Sequence, residues 1–242
     1  MMKPLLIVKA GNTYAEMAAR FGDFEDWIST GLDRSTETIA TVRPFCGEAL
    51  PDPLSLGGII ITGSHDMVTD RHPWSEMTAA WIKCAVESDV PLLGICYGHQ
   101  LLAHAMGGVV ADNPEGREVG TVAVTLTEQG RRDRLLGEMP ASFAAQACHS
   151  QSVLKLPAGA TLLASSALDA HHAFAIGRRA WGVQFHPEFN SEVMRHYIQH
   201  LGADLVAQGA DARACLAGVR ETPQSREVLR RFGRYCLSTD SR

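Results

Sequence analysis

The residues able to do chemistry in this sequence concentrate in two short stretches, "LLGICYGHQLLA" at 92–103 and "VQFHPEF" at 183–189. In the first, Gly94 and Gly98 bracket Cys96 where an apolar run gives way to apolar residues at helical spacing. This G-x-C-x-G arrangement has the form of a nucleophile elbow, in which small residues either side let a strand turn sharply into a helix and expose the central side chain. At a helix N-terminus the thiol feels the positive end of the dipole and unpaired N–H groups, which favour thiolate. The alternative is a packed core thiol whose glycines serve only close strand–helix contact. A catalytic cysteine needs a base, and the second stretch offers one. If 183–186 is a strand, His186 stands at its carboxyl end, where open α/β sheets gather functional groups. Glu188 is two residues on, so in extended backbone both side chains project to one side, and Pro187 keeps the chain extended between them. The carboxylate can then orient the imidazole while the imidazole takes the cysteine proton.

These groups lie ninety residues apart, so the intervening elements must bring them together. Apolar runs bounded by glycine or proline recur at 4–11, 38–45, 57–64 and 91–98, and suit strands buried on both faces, as in a parallel sheet. Between them, 12–28 and 73–89 carry apolar residues at helical steps, the second through Met77, Trp81, Ile82 and Ala85. After a helix over "HQLLAHAMGG", short strands follow at "GTVAVTLTEQG", "ATLLASSAL", "HHAFAIG" and "RAWGVQFHPE", with a small helix near "RRDRLLGEM". From Asn190 onward the sequence is helical, its last segment starting after Thr222 and Pro223. The expected fold is α/β: an open, mostly parallel central sheet flanked by helices in three layers, with a small antiparallel sheet. Residues 1–190 form the α/β domain, and 191–242 a helical extension packed on it.

Composition narrows the function classes. The chain has 242 residues with 45 % hydrophobic and 20 % charged residues, ordinary globular usage, and a net charge of -5 that supplies no basic face for nucleic acid. No stretch approaches the ~20 apolar residues of a membrane span, and the short N-terminal apolar run lacks the features of a signal peptide. A cytoplasmic protein with no membrane or nucleic-acid partner is expected. The six cysteines form no C-x-x-C pair, and no H-E-x-x-H motif is present, so neither disulfides nor a metal is expected. Cys46, Cys84, Cys148, Cys215 and Cys236 read as buried bystanders.

"GICYGHQLLAHAMGG" together with "VQFHPEF" resembles the class I, triad-type glutamine amidotransferases, closely so the amidotransferase domain of GMP synthetases, over about residues 40 to 190. The resemblance implies the flavodoxin-like fold of that family. It also implies a cysteine that attacks the side-chain amide of glutamine, releasing ammonia and leaving a γ-glutamyl thioester for water. Carried over, Cys96 is nucleophile, His186 base then acid, and Glu188 the orienting carboxylate. "IIITGSHDMV" is similar to the family's glycine-rich oxyanion turn. There Gly63 and Ser64 match the positions before the family proline, which His65 replaces, and the N–H groups of Ser64 and Tyr97 would form the oxyanion hole. Such a donor is worth ~3 to 4 kcal/mol of transition-state stabilisation. "ACHSQSVLKLP" resembles the segment that lines the glutamine pocket, putting His149, Ser150 and Gln151 at the substrate. There Ser150 and Gln151 replace the usual glycine and aspartate. Gln100 matches a glutamine that holds the substrate's amino-acid end, and His99 packs beside the elbow.

Neither an S-G-G-x-D-S loop nor a G-x-x-x-x-G-K-[ST] loop is present, so no ATP site and no cofactor are expected. The resemblance implies glutamine or another γ-glutamyl compound as substrate and a separate ATP-dependent synthetase as partner. The helices after Asn190 would pack on the core or form a homo-oligomer contact. Two alternatives keep the fold: a stand-alone γ-glutamyl hydrolase or peptidase with the same triad, and a non-catalytic regulatory module.

Overall fold

The computed structural model describes residues 3–32 and 39–239. Its frame is a nine-stranded sheet in the order β2-β1-β3-β4-β11-β10-β9-β6-β7. The first five strands, β2 (Ile39–Val42), β1 (Leu5–Val8), β3 (Gly58–Ile61), β4 (Leu92–Ile95) and β11 (Ala180–Val183), are mutually parallel. Strands β1, β3, β4 and β11 are buried at every position, which explains their uninterrupted apolar sequences. The other four, β10 (Ala173–Ile176), β9 (Ala160–Ser165), β6 (Glu118–Leu126) and β7 (Ser142–His149), continue the sheet antiparallel. A separate antiparallel pair joins β5 (Val109–Asp112) to β8 (Gln151–Lys155). The expected α/β architecture with a small antiparallel sheet is thus present. Thr38, the first residue of one predicted strand run, lies outside the described residues.

Four local expectations are corrected. The single helix predicted over 12–28 is two, α1 (Ala15–Phe21) and α2 (Phe24–Gly31). Gly22 takes φ 81° between them, and Asp23 starts α2 with a capping box that Asp26 completes, so the local breaker and cap override the continuous apolar spacing. In α3 (Pro73–Glu87) the buried stripe is Ser75, Thr78, Ala79, Ile82 and Ala85, while Met77 is 65 % exposed. Small residues there let the helix lie close to α4 (Tyr97–Ala105), so Met77 is left outside. The predicted helix near 131–139 is one 3-10 turn, Gly130–Arg132, ended where the Asp133 side chain accepts from the Leu135 and Leu136 amides. Finally, Cys46 and Cys84 are exposed, and Cys148 and Cys215 only part-covered; of the five, Cys236 alone is buried. Cys46 lies in a short surface turn and Cys84 on the outer side of α3, so neither meets the core.

Helices α5 (Ser191–His200), α6 (Gly202–Ala207) and α7 (Ala212–Gly218) follow, then α8 (Pro223–Thr239). Val228, Leu229, Phe232 and Cys236 of α8 join the same hydrophobic cluster as Leu5, Ile7, Ile60 and Leu93 of the parallel strands. Helix α5 forms a second cluster with Met17, Phe24 and Phe189, which borders the carboxyl ends of the parallel strands.

Candidate active site

Cys96 occupies the single residue between β4 and α4, with φ 50° and ψ −101°. A non-glycine residue at such angles is strained by about 1 to 3 kcal/mol, a strain that surrounding structure must impose. Both flanking glycines impose it. A Cβ on Gly94 would lie 2.3 Å from the Gly98 carbonyl oxygen, and one on Gly98 would lie 2.4 Å from that of Ile61. The chain doubles back so tightly that only hydrogen fits at either place. Tyr97 opens the helix, so its N–H has no partner within it and points toward the bend.

His186 arrives by a route the strand pattern did not reveal. Strand β11 ends at Val183, and the expected extension to His186 is absent; residues 184–189 leave the sheet and turn, with the Phe189 N–H donating to the His186 carbonyl at 3.4 Å. The His186 N–H instead donates to the Gln146 carbonyl of β7 at 2.8 Å, an isolated bridge between the two segments. Two residues further along β7, the Cys148 carbonyl accepts from the Cys96 thiol at 3.8 Å. One strand thereby fixes both members of the pair. Gly63 completes the approach, since a Cβ there would meet His186 Cε1 at 3.0 Å.

The imidazole of His186 lies close enough to Cys96 to feel its sulfur, and its Nδ1 lies 2.7 Å from Glu188 Oε1. His186 and Glu188 are 3 % and 4 % exposed, so their interaction is barely screened by solvent. Burial alone would lower the imidazole's pKa; the Glu188 charge, the nearby Cys96 sulfur and the hydrogen bond to Glu188 outweigh it and push the pKa up to about 10. The ring also stacks on Phe189, with centroids 4.1 Å apart. Burial pushes the neighbouring Cys148 thiol up to about 12, so of the two adjacent cysteines only Cys96 has a base at hand.

Cys96, Tyr97, Ser64, Gln100, His149, Ser150, Gln151 and His186 line one cleft, together with Tyr14, His65, Arg117 and Tyr197. The fold thus collects eight of the ten predicted residues in the cleft wall, while Gly63 and Glu188 stand behind it against His186. Both Gln100 amide hydrogens are engaged by protein, the Gln151 carbonyl at 2.8 Å and Gln184 Oε1 at 3.1 Å. His149 is likewise engaged by protein, its Nδ1 lying 2.9 Å from the Gln151 carbonyl oxygen and its Nε2 3.0 Å from Glu118 Oε2. Gln151 gives its Nε2 to Thr69 and Asp112, and its buried Oε1 has no partner. His99 is fully buried against Phe174, and burial lowers it to about 3.

Glu118, His149 and His172 form a group with ligand-type atoms within 4.8 Å of one another. Both imidazoles donate to Glu118 Oε2, at 3.0 and 2.8 Å, and Ser166 donates to Oε1 at 2.6 Å. Burial opposes ionisation of Glu118, but these hydrogen bonds hold its carboxyl well below the usual range. Hydrogen bonds to both oxygens of Glu118 tie the group together and lock the 149–151 turn beneath the cleft, while His172 Nδ1 is buried without a partner among the described residues. Sequence reading missed Glu118, His172 and Arg117, because Glu118 and Arg117 reach the site only through the Glu118↔His149 pairing of β6 with β7, and His172 only from the turn before β10.

Comparison with known proteins finds relatives in sequence and in fold. Gamma-glutamyl peptidase 4 of Arabidopsis thaliana is 32 % identical over 179 residues, covering 72 % of this chain and 69 % of that protein. The glutamine-hydrolyzing GMP synthase of Aeropyrum pernix is 30 % identical over 209 residues, 82 % of this chain but 36 % of that protein, so the chain spans about a third of its length. The structure of a glutamine amidotransferase from Thermotoga maritima superposes with a TM-score of 0.76 at 21 % identity, covering 98 % of this chain and 99 % of that one, a likeness of fold. The family described as glutamine amidotransferase class-I matches residues 37–203, a span that runs from the second strand through the elbow to the His186 turn and α5. The chain belongs to the class-I glutamine amidotransferase family.

Proposed function

We propose that the protein hydrolyses the side-chain amide of glutamine through a thioester on Cys96. The observation that carries this reading is the grouping of Cys96 and His186 in the wall of an open cleft, with Glu188 bonded to His186 behind it and the thiol held at a strained bend. The Cys96 sulfur attacks the amide carbon. Negative charge on the carbonyl oxygen is met by the N–H groups of Ser64 and Tyr97. His186 gives its proton to the leaving nitrogen, the C–N bond breaks, and ammonia departs. Water, losing a proton to His186, adds to the thioester and expels the thiolate, releasing glutamate. Glu188 stabilises the imidazolium throughout. Gln100 and His149, bonded to the Gln151 carbonyl, shape the turn that holds the substrate's amino-acid end.

An ATP-dependent synthetase subunit that consumes the ammonia is supported by the GMP synthase relative, of which this chain spans about a third. A second reading keeps the chemistry and exchanges ammonia for an amino-acid leaving group. It is favoured by the gamma-glutamyl peptidase relative, matched over most of both chains. Ser150 and Gln151, which depart from the amidotransferase pattern in the substrate segment, fit it as well. Ammonia and glutamate release from glutamine, and amino-acid release from γ-glutamyl dipeptides, distinguish the two. Cys96→Ala should lower either rate by about four orders of magnitude or more. Turnover that persists in this variant would remove Cys96 from the mechanism.

A further inference from the structure

Arg117 enters the cleft without a protein partner. It stands one residue before the Glu118↔His149 pair, so it continues the ribbon opposite Ser150. Along a strand successive side chains alternate, so Arg117 shares a face with Val119 and Cys148, opposite the face that carries Glu118. That face looks toward the catalytic thiol and α5. The guanidinium charge is felt at Tyr14 and Cys148, where it opposes the larger effect of burial on each hydroxyl or thiol. Yet Arg117 makes no hydrogen bond or ion pair among the described residues, and its Nη1 is buried with no acceptor. The only carboxylate lining the cleft, Asp66, is exposed and makes no ion pair with Arg117 among the described residues.

A buried guanidinium nitrogen without an acceptor costs free energy that a structural role does not recover, whereas a ligand carboxylate would supply the missing acceptors in bidentate geometry. The neighbouring charged and polar groups Glu118 and Gln100 are engaged, Glu118 by two histidines and a serine and Gln100 by two carbonyl oxygens, and the other orphaned atom of this wall, Gln151 Oε1, is an acceptor that a carboxylate cannot serve. We infer that Arg117 is a specificity-determining residue that binds a carboxylate of the substrate within the cleft. The inference rests on the γ-glutamyl reading of the site, and it adds a requirement that the triad does not impose. Two carboxylates could meet it: the α-carboxylate of the γ-glutamyl group, or the terminal carboxylate of an amino acid in peptide linkage to it.

The test uses full-length protein carrying Cys96→Ala, with and without Arg117→Gln or Arg117→Lys, and calorimetric titration with four ligands. These are glutamine, glutamine α-amide, a γ-glutamyl dipeptide, and the dipeptide amidated at its terminal carboxylate. Losing one charge-assisted carboxylate contact should weaken binding by about 10- to 100-fold. With Arg117 present, the ligand whose contacted carboxylate is amidated binds more weakly by that factor. With Arg117→Gln, acid and amide bind alike, and Arg117→Lys falls between. Loss confined to glutamine α-amide identifies the α-carboxylate; loss confined to the amidated dipeptide identifies the terminal one. Equal discrimination with and without Arg117, or none in either protein, overturns the inference. Turnover by the protein with Cys96 intact is measured in parallel. Turnover with Arg117-independent binding sinks this inference alone, whereas carboxylate-selective binding without turnover sinks the catalytic reading and leaves Arg117 standing.

Discussion

At the residue scale, the site depends on a few side chains whose states are set by neighbours rather than by their own chemistry. His186 is the clearest case. Its pKa in the unfolded chain is the ordinary 6.5, and in the fold the Glu188 and Cys96 contacts carry it, against burial, to about 10. A group whose folded pKa is raised adds stability that is fully present below its unfolded pKa and lost as pH rises through the folded one. The His186 contribution is therefore greatest below pH 6.5 and fades up to about pH 10. Glu188→Gln removes the charge that sustains it. Urea unfolding of both proteins should show the advantage of the original sequence shrinking across that window, with a slope of up to about 1.4 kcal/mol per pH unit. A difference independent of pH would mean that His186 is not held as the cation. The sequence made Cys96 legible because its two glycines are local, and the His186–Glu188 pair legible because two residues span it. Arg117 and the Glu118–His149–His172 group were not legible, since nothing in "NPEGREVG" signals which residue of β7 faces it.

At the element scale, the bend between β4 and α4 is a packing problem solved by hydrogen atoms. Gly98 lies against the backbone of β3, where a Cβ would meet the Ile61 carbonyl oxygen at 2.4 Å and carbon atoms at 2.8 and 2.9 Å. Backbone cannot swing aside as a flexible side chain can. Gly98→Ala should therefore cost about 3 kcal/mol or more of stability and displace Cys96, with loss of activity exceeding the loss of folded protein. Circular dichroism melts paired with activity per folded molecule separate the two effects. A variant with unchanged melting would refute the tight contact. The strands of the parallel half were readable because burial on both faces makes them continuously apolar. The His186 segment was misread as strand because Val183, Gln184 and Phe185 have strand-like residue types, while the backbone departs to reach Gln146. The break between α1 and α2 was hidden for the opposite reason. Apolar spacing runs through Gly22 and Asp23, and the cap decides the ending.

At the scale of the whole molecule, the site sits where two sets of strands meet. The parallel half supplies Cys96, Ser64 and the start of the His186 turn, and the antiparallel half supplies Gln146, Cys148 and Arg117. The parallel half is closed on one side by α8, whose Phe232 is buried edge-on to Trp181 of β11 with ring centroids 6.3 Å apart. Phe232→Ala leaves a cavity in the main hydrophobic cluster and should cost about 3 to 5 kcal/mol. The denaturation midpoint would report this, and a shift equivalent to under about 1 kcal/mol would show that α8 adds little to the core. Helix α8 was legible as a helix from its Pro223 start, but its place against β11 was not, because amphipathic spacing names a buried face without naming what covers it. The central claim for the whole molecule is that this assembled site makes a covalent bond from Cys96 to a γ-glutamyl group. Acid quenching during glutamine turnover, followed by peptide mass analysis, tests it most directly. A γ-glutamyl adduct is expected on the peptide containing Cys96 and none on the one containing Cys148. An adduct confined to another residue, or ammonia release undiminished by Cys96→Ala, would contradict it.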